Sequence, residues 1–135
     1  MDRVVFDTNV LVSATLSRGK PYTVLELAER GDIDSVTSPD IIDELEDVLS
    51  RERLPFESEQ IDEFVGKILS MSELVTPEMD LEAVEDDPDD DKILECAVAG
   101  NADYIVFGDS HLLDIEEHRG VEILSPDEFL STRNS

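Results

Sequence analysis

Short β-prone runs alternate with helical stretches along this chain, and that alternation restricts it to a small set of folds. Val4-Val5-Phe6 is the first run and ends at Asp7-Thr8-Asn9. Helical spacing follows from Asn9 to Leu16 and stops at Arg18-Gly19. Pro21 suits the first turn of a second helix, which ends at Gly31. Asp34 to Thr37 is a short strand, and Ser38-Pro39 reads as the N-cap and first position of a helix carrying Ile41, Ile42, Leu45, Val48 and Leu49. Pro55 interrupts the pattern, Ser58 is placed to cap a helix with Ile61, Phe64, Val65, Ile68 and Leu69, and Leu74-Val75 is a weak strand. Glu85 to Asp91 is a loop by composition, leading into a helix with Ile93, Leu94, Ala97 and Val98 that ends at Gly100. Tyr104-Ile105-Val106-Phe107 is the strongest strand, followed by Gly108-Asp109 and a short Leu112-Leu113 helix. Val121 to Leu124 is the last strand, and Ser125-Pro126 starts a final helix. The expectation is an α/β domain built on a mostly parallel sheet, with residues 1–135 forming a single domain.

Composition narrows the class. One cysteine, Cys96, excludes an internal disulfide and a cysteine-based zinc site. Met1-Asp2-Arg3 leads into an apolar run rather than a signal peptide, and no apolar stretch approaches the roughly 20 residues that span a membrane. A cytoplasmic protein with no membrane partner is the expectation. Thirty-five Asp and Glu stand against ten Lys and Arg, a formal net charge of −25. Such a balance argues against nucleic acid in dilute salt, because phosphate binding draws on clustered basic residues. Only Lys20, Lys67 and Lys92 are lysines, and an acidic, lysine-poor surface also suits a halophilic cytoplasm. In molar salt the Debye length falls to about 3 Å, and net charge then no longer excludes RNA.

The chemistry lies in carboxylates at one edge of the sheet. Ligands of an open parallel sheet sit beyond the carboxyl ends of its strands. Two strands finish there in an aspartate, Asp7 and Asp109, while Asp91 opens a helix after the acidic loop. Converging carboxylates repel one another, and oxygen-only ligands of this kind suit Mg²⁺ or Mn²⁺. Each residue also has a plainer reading. Asp7 could cap the following helix, Asp109 could be a turn residue after Gly108, and Asp91 could be solvated charge. Glu44 and Glu46 flank the Ile41–Leu45–Val48 face on opposite sides, and periodicity does not choose between them. Cys96 reads as a small buried apolar group.

The segment Phe6-Asp7-Thr8-Asn9-Val10-Leu11 resembles the opening motif of PIN-domain nucleases. Asp89 to Ala97 and Ala102 to Leu113 look like that family's second half, and the likeness runs over nearly the whole chain in the same element order. Small prokaryotic PIN proteins that act as toxins of toxin–antitoxin pairs are the most similar branch. The resemblance implies a three-layer α/β/α domain with a central, mostly parallel sheet. It implies an acidic quartet of Asp7, Glu44, Asp91 and Asp109, which takes Glu44 over Glu46. These four would hold Mg²⁺ or Mn²⁺ for cleavage of RNA phosphodiester bonds, with Thr8 and Asn9 in support. An antitoxin protein and a homodimer are the partners the resemblance implies besides the RNA substrate.

Arg18 and Lys20 are candidate phosphate contacts, with Arg51 and Arg53 weaker ones; solubility charge at helix ends is the plainer reading of all four. Many relatives carry Ser or Thr two residues before the fourth acid, where this chain has Phe107. That departure favours the alternative reading, a non-catalytic PIN-like module that binds RNA or a partner protein. An aspartate-nucleophile phosphatase would need a second Asp where Asn9 stands. A phospho-receiver domain would need a lysine after a late strand, and the chain has none there.

Overall fold

A computed structural model describes residues 2–51, 54–76, 88–108, 117–118 and 120–133. In chain order the elements are β1 (Arg3–Phe6), α1 (Thr8–Leu16), α2 (Lys20–Glu29), β2 (Asp34–Thr37), α3 (Pro39–Leu49) and α4 (Ser58–Met71). They continue with β3 (Ser72–Leu74), α5 (Pro88–Ala99), β4 (Tyr104–Val106), β5 (Glu117–His118), β6 (Val121–Leu124) and α6 (Pro126–Arg133). The strands form one sheet in the order β3-β2-β1-β4-β6-β5. The pairs β3–β2, β2–β1, β1–β4 and β4–β6 are parallel, and β5 joins β6 antiparallel at one edge.

Register fixes which side chains share a face. Val4 lies opposite Ser35 on one side and Tyr104 on the other, so all three point the same way. Tyr104 meets Phe129 of α6 edge to face, with ring centroids 5.5 Å apart, so that face is covered by α6. α6 in turn packs on α2, and α2 on α1. The opposite face carries Val5, Val36 and Ile105 and is covered by α5. Gly100, just past the end of α5, makes that approach possible: a Cβ there would sit 2.5 Å from Val36 Cγ1. The result is the expected three-layer α/β/α arrangement, with Val4, Val5, Phe6, Leu11, Ile41, Leu45, Leu94 and Ile105 buried in its core.

Several local expectations are corrected. Pro88 to Asp91 belong to α5 rather than to a loop, because proline suits a first helical turn and acidic residues there complement the helix dipole. Glu57, not Ser58, is the N-cap of α4, and its N–H donates to Gln60 Oε1 at 2.8 Å. Strand β3 covers Ser72–Leu74, earlier than Leu74-Val75, although the Val75 N–H still reaches the Thr37 carbonyl at 2.9 Å. β5 has no counterpart in the sequence pattern, since two polar residues carry no alternation. The Leu112-Leu113 helix lies outside the described residues.

Candidate functional site

Phe6 ends β1 in the middle of the sheet, and the chain turns into α1 through Asp7. Asp7 adopts the extended conformation of an N-cap (φ −73°, ψ 164°) and is only 3% exposed. Its Oδ1 accepts the Val10 N–H at 2.8 Å, satisfying one of the donors that open a helix. Its Oδ2 accepts the Gly108 N–H at 3.1 Å, from the segment leaving β4. The Asp7 N–H donates to the Val106 carbonyl at 3.0 Å, which ties the same two chain segments together. Two backbone amides thus hold this buried carboxylate, one at each oxygen, and charge-assisted bonds of that kind stabilise an ionised acid.

Thr8, the first residue of α1, is buried, and its Oγ1 has no hydrogen-bond partner among the described residues. Orphaned buried hydroxyls are uncommon and call for an explanation such as an ion or a water. Asn9 is exposed beside it. Ser38 caps α3 by accepting the Ile41 N–H at 3.3 Å, so α3 starts from the same sheet edge one strand away. Glu44 in the second turn of α3 is half-buried, whereas Glu46 is exposed. Of the two glutamates, Glu44 is the one turned towards the protein, and α3 packs against α1.

Asp91 falls in the first turn of α5, but its side chain lies outside the described residues, as does the whole of Asp109. The described residues therefore show two of the four expected carboxylates, Asp7 and Glu44. Among them no group of three or more His, Cys, Asp or Glu side chains is positioned to hold a metal ion. Arg18 lies over the Tyr22 ring, 5.4 Å from its centroid, and Lys20 is ion-paired with Asp127 of α6. Arg51 sits 3.6 Å from Asp47 on its own helix end, and Arg53 lies outside the described residues. Phe107 is buried, with its N–H donated to the Leu124 carbonyl at 3.0 Å, so its ring belongs to the core.

A cavity of about 240 Å³ opens between α2 and α4, lined by Tyr22, Leu25, Leu49, Phe56, Ile61 and Phe64 among others; none of the expected acids lines it. Cys96 is fully buried, and burial pushes its thiol up to about 12 despite a hydrogen bond with Ser38. It is packing, as expected, and not a nucleophile. The group that residue-by-residue reading missed is the Gly108 amide. A glycine before an aspartate carries no signal that its N–H will reach back across the sheet to Asp7.

An open, mostly parallel α/β/α sheet with a buried aspartate at the carboxyl end of its central strand is an α/β domain whose ligand edge is the one Asp7 occupies. The model of the PIN domain matches residues 3–111, and the chain belongs to the PIN-domain family. No curated protein matches the chain. PIN domains are generally nucleases that use divalent metal ions, so at that level the chain is a nuclease-type module. The donors at this site suit such an ion: carboxylate oxygens, and a buried Thr8 hydroxyl without a partner among the described residues. No helix among the described residues is long and apolar enough to cross a membrane.

Proposed function

We propose that this PIN domain is a metal-dependent endoribonuclease. The observation that carries the reading is Asp7: a charged group buried at the end of the central strand, oriented by two backbone amides, beside an orphaned Thr8 hydroxyl. Asp7, Glu44, Asp91 and Asp109 would hold Mg²⁺ or Mn²⁺. Such an ion, when bound, polarises a phosphate and lowers the pKa of a bound water. The protein's own part is orientation. Asp7 is fixed by the α1 N-terminus and the Gly108 amide, Glu44 approaches on α3, and Thr8 offers a hydroxyl to the same shell. Asn9, exposed next to them, would support Asp7 in the same site.

The same reading extends to a single-domain toxin of a toxin–antitoxin pair, acting as a homodimer and held by an antitoxin protein, in a halophilic cytoplasm. Arg18 and Lys20 remain the candidate phosphate contacts; an RNA strand would have to compete with Tyr22 and Asp127 for them. The test is cleavage of a mixed RNA in concentrated KCl with Mn²⁺ or Mg²⁺. Wild type is expected to cut, EDTA to stop it, and Asp7→Asn to be inactive. Folded wild type that cuts no RNA with either ion would sink the proposal. It would leave the non-catalytic module, for which the buried Phe107 is the supporting feature.

A further inference from the structure

We propose that the Gly108 amide is a positioning group for the reaction: it fixes the plane of the Asp7 carboxylate and so sets where that carboxylate can place a ligand. The inference rests on the nuclease reading of the same site. A carboxylate held at one oxygen can still turn about its Cβ–Cγ bond, whereas one held at both oxygens by different chain segments cannot. Val10 N–H holds Oδ1 from within α1, and Gly108 N–H holds Oδ2 from beyond β4. The two donors come from residues 98 positions apart in sequence, and neither is a side chain that could change rotamer.

The two segments are in contact. A Cβ at residue 108 would lie at ordinary van der Waals distance, 3.4 Å from Asn9 Cβ and 3.6 Å from Val10 Cγ2. The Gly108 backbone therefore packs on the first turn of α1, the same turn that carries Thr8 and the Val10 donor. Gly108 also immediately precedes Asp109, so the backbone segment that holds Asp7 leads directly to the fourth acid of the quartet. Anything that shifts this segment changes the aim of Asp7.

The experiment replaces one atom. In Gly108→glycolate the amide N–H becomes an ester oxygen, and a control ester at Leu54 removes another backbone bond, the one from its N–H to the Arg51 carbonyl at 3.0 Å. For the 108 ester, Mn²⁺ affinity measured by calorimetry is expected to fall about tenfold to a hundredfold, the range for lost outer-shell support of a metal ligand. For RNA cleavage, kcat is expected to fall while KM stays within about twofold, the pattern of a misaligned reacting group. If the 108 ester matches the Leu54 ester in both quantities, the assignment is overturned.

A second measurement needs neither metal nor turnover, nor a folded ester. Gly108 amide exchange in metal-free wild type is compared with Asp7→Ala. Loss of protection at Gly108 together with Val10 supports the assignment, and unchanged exchange at Gly108 overturns it. Should wild type bind no Mn²⁺ and cut no RNA, the nuclease reading fails, and the exchange result still decides the Gly108–Asp7 contact by itself.

Discussion

Replacing Asp7 by asparagine preserves size and removes one charge, and the structure predicts the sign of its effect on the metal-free protein. Asp7 accepts two backbone N–H groups, one at each oxygen. An asparagine has one acceptor oxygen and one NH₂ donor, so whichever way it turns, an NH₂ faces a backbone N–H. Asparagine is a good N-cap, and its oxygen is expected to stay with Val10. The Gly108 bond is then lost. A bond to a charged group contributes about 1.5–3 kcal/mol, and an unmade buried partner costs a similar amount. Relief of repulsion works the other way, since the chain carries a net charge of −25. Exposed charges about 8 Å apart in water interact by about 0.5 kcal/mol, and at about 1 M salt screening reduces this below about 0.1 kcal/mol. Against the exposed charge of the surface, the hydrogen bond wins. Asp7→Asn is expected to lose about 1–3 kcal/mol in EDTA and about 1 M KCl, a drop of roughly 4–12 °C in Tm for a chain of this size. Circular dichroism is the assay, because the chain has no tryptophan. A site held together only by a cation would behave oppositely, since removing one of several repelling acids stabilises its metal-free form. An unchanged or higher Tm for Asp7→Asn would refute the argument that backbone amides hold this carboxylate.

Three further outcomes follow from the packing and the charge. Burial pushes the Cys96 thiol up to about 12 from its ordinary value near 9, so above pH 9 the unfolded thiol loses its proton while the folded one keeps it. Stability should therefore be unaffected below pH 9 and decline between 9 and 12, by up to about 1.4 kcal/mol per pH unit, and Cys96→Ala should remove that part of the slope in denaturant titrations. Gly100→Ala should cost about 1–3 kcal/mol through overpacking against Val36, and the double variant with Val36→Ala should recover part of it in a mutant cycle. Tm should rise steeply as KCl is raised from about 0.1 M to about 1 M, because the Debye length shrinks from about 10 Å to about 3 Å and screens the acidic surface; a flat response would remove the halophilic reading.

The fold was legible because its punctuation is chemical. Gly31, at φ +80°, ends α2 where only a residue tolerant of positive φ is comfortable, and Ser38-Pro39 begins α3 with a side-chain cap and a proline in the first turn. Where such marks are absent or ambiguous, composition misleads. The acidic run ending at Asp91 looks like solvated loop by composition, yet α5 begins at Pro88, the proline itself marking the first turn. β5 is two residues long and is selected by pairing with β6, a non-local fact that no window of sequence contains. The site divides the same way. Asp7 could be named from its strand end, whereas the helix face leaves Glu44 and Glu46 tied and only the resemblance takes Glu44; burial then distinguishes the two. The Gly108 contribution could not be named, because a backbone donor leaves no trace in residue identity.

That backbone donor also dissolves the opposition between a cap and a ligand at Asp7. A carboxylate offers roughly four lone-pair sites over its two oxygens, and the Val10 and Gly108 amides occupy one on each. Capping α1 therefore does not use up the group; it aims it. The helix N-terminus adds a second effect, since its partial positive charge favours the ionised form that a divalent cation would need. The same bonds that terminate β1, start α1 and tie down the segment beyond β4 thus prepare a charged oxygen at the centre of the sheet edge. A substitution at Asp7 must then disturb both stability and metal affinity. At Glu44, half-buried on the flank of α3 and not held by the Val10 and Gly108 amides, the two effects should separate: Glu44→Gln is expected to weaken Mn²⁺ binding with a smaller fall in Tm than Asp7→Asn. Equal losses of stability at both positions would mean that the acids act as one electrostatic cluster, and that the clamp on Asp7 is incidental.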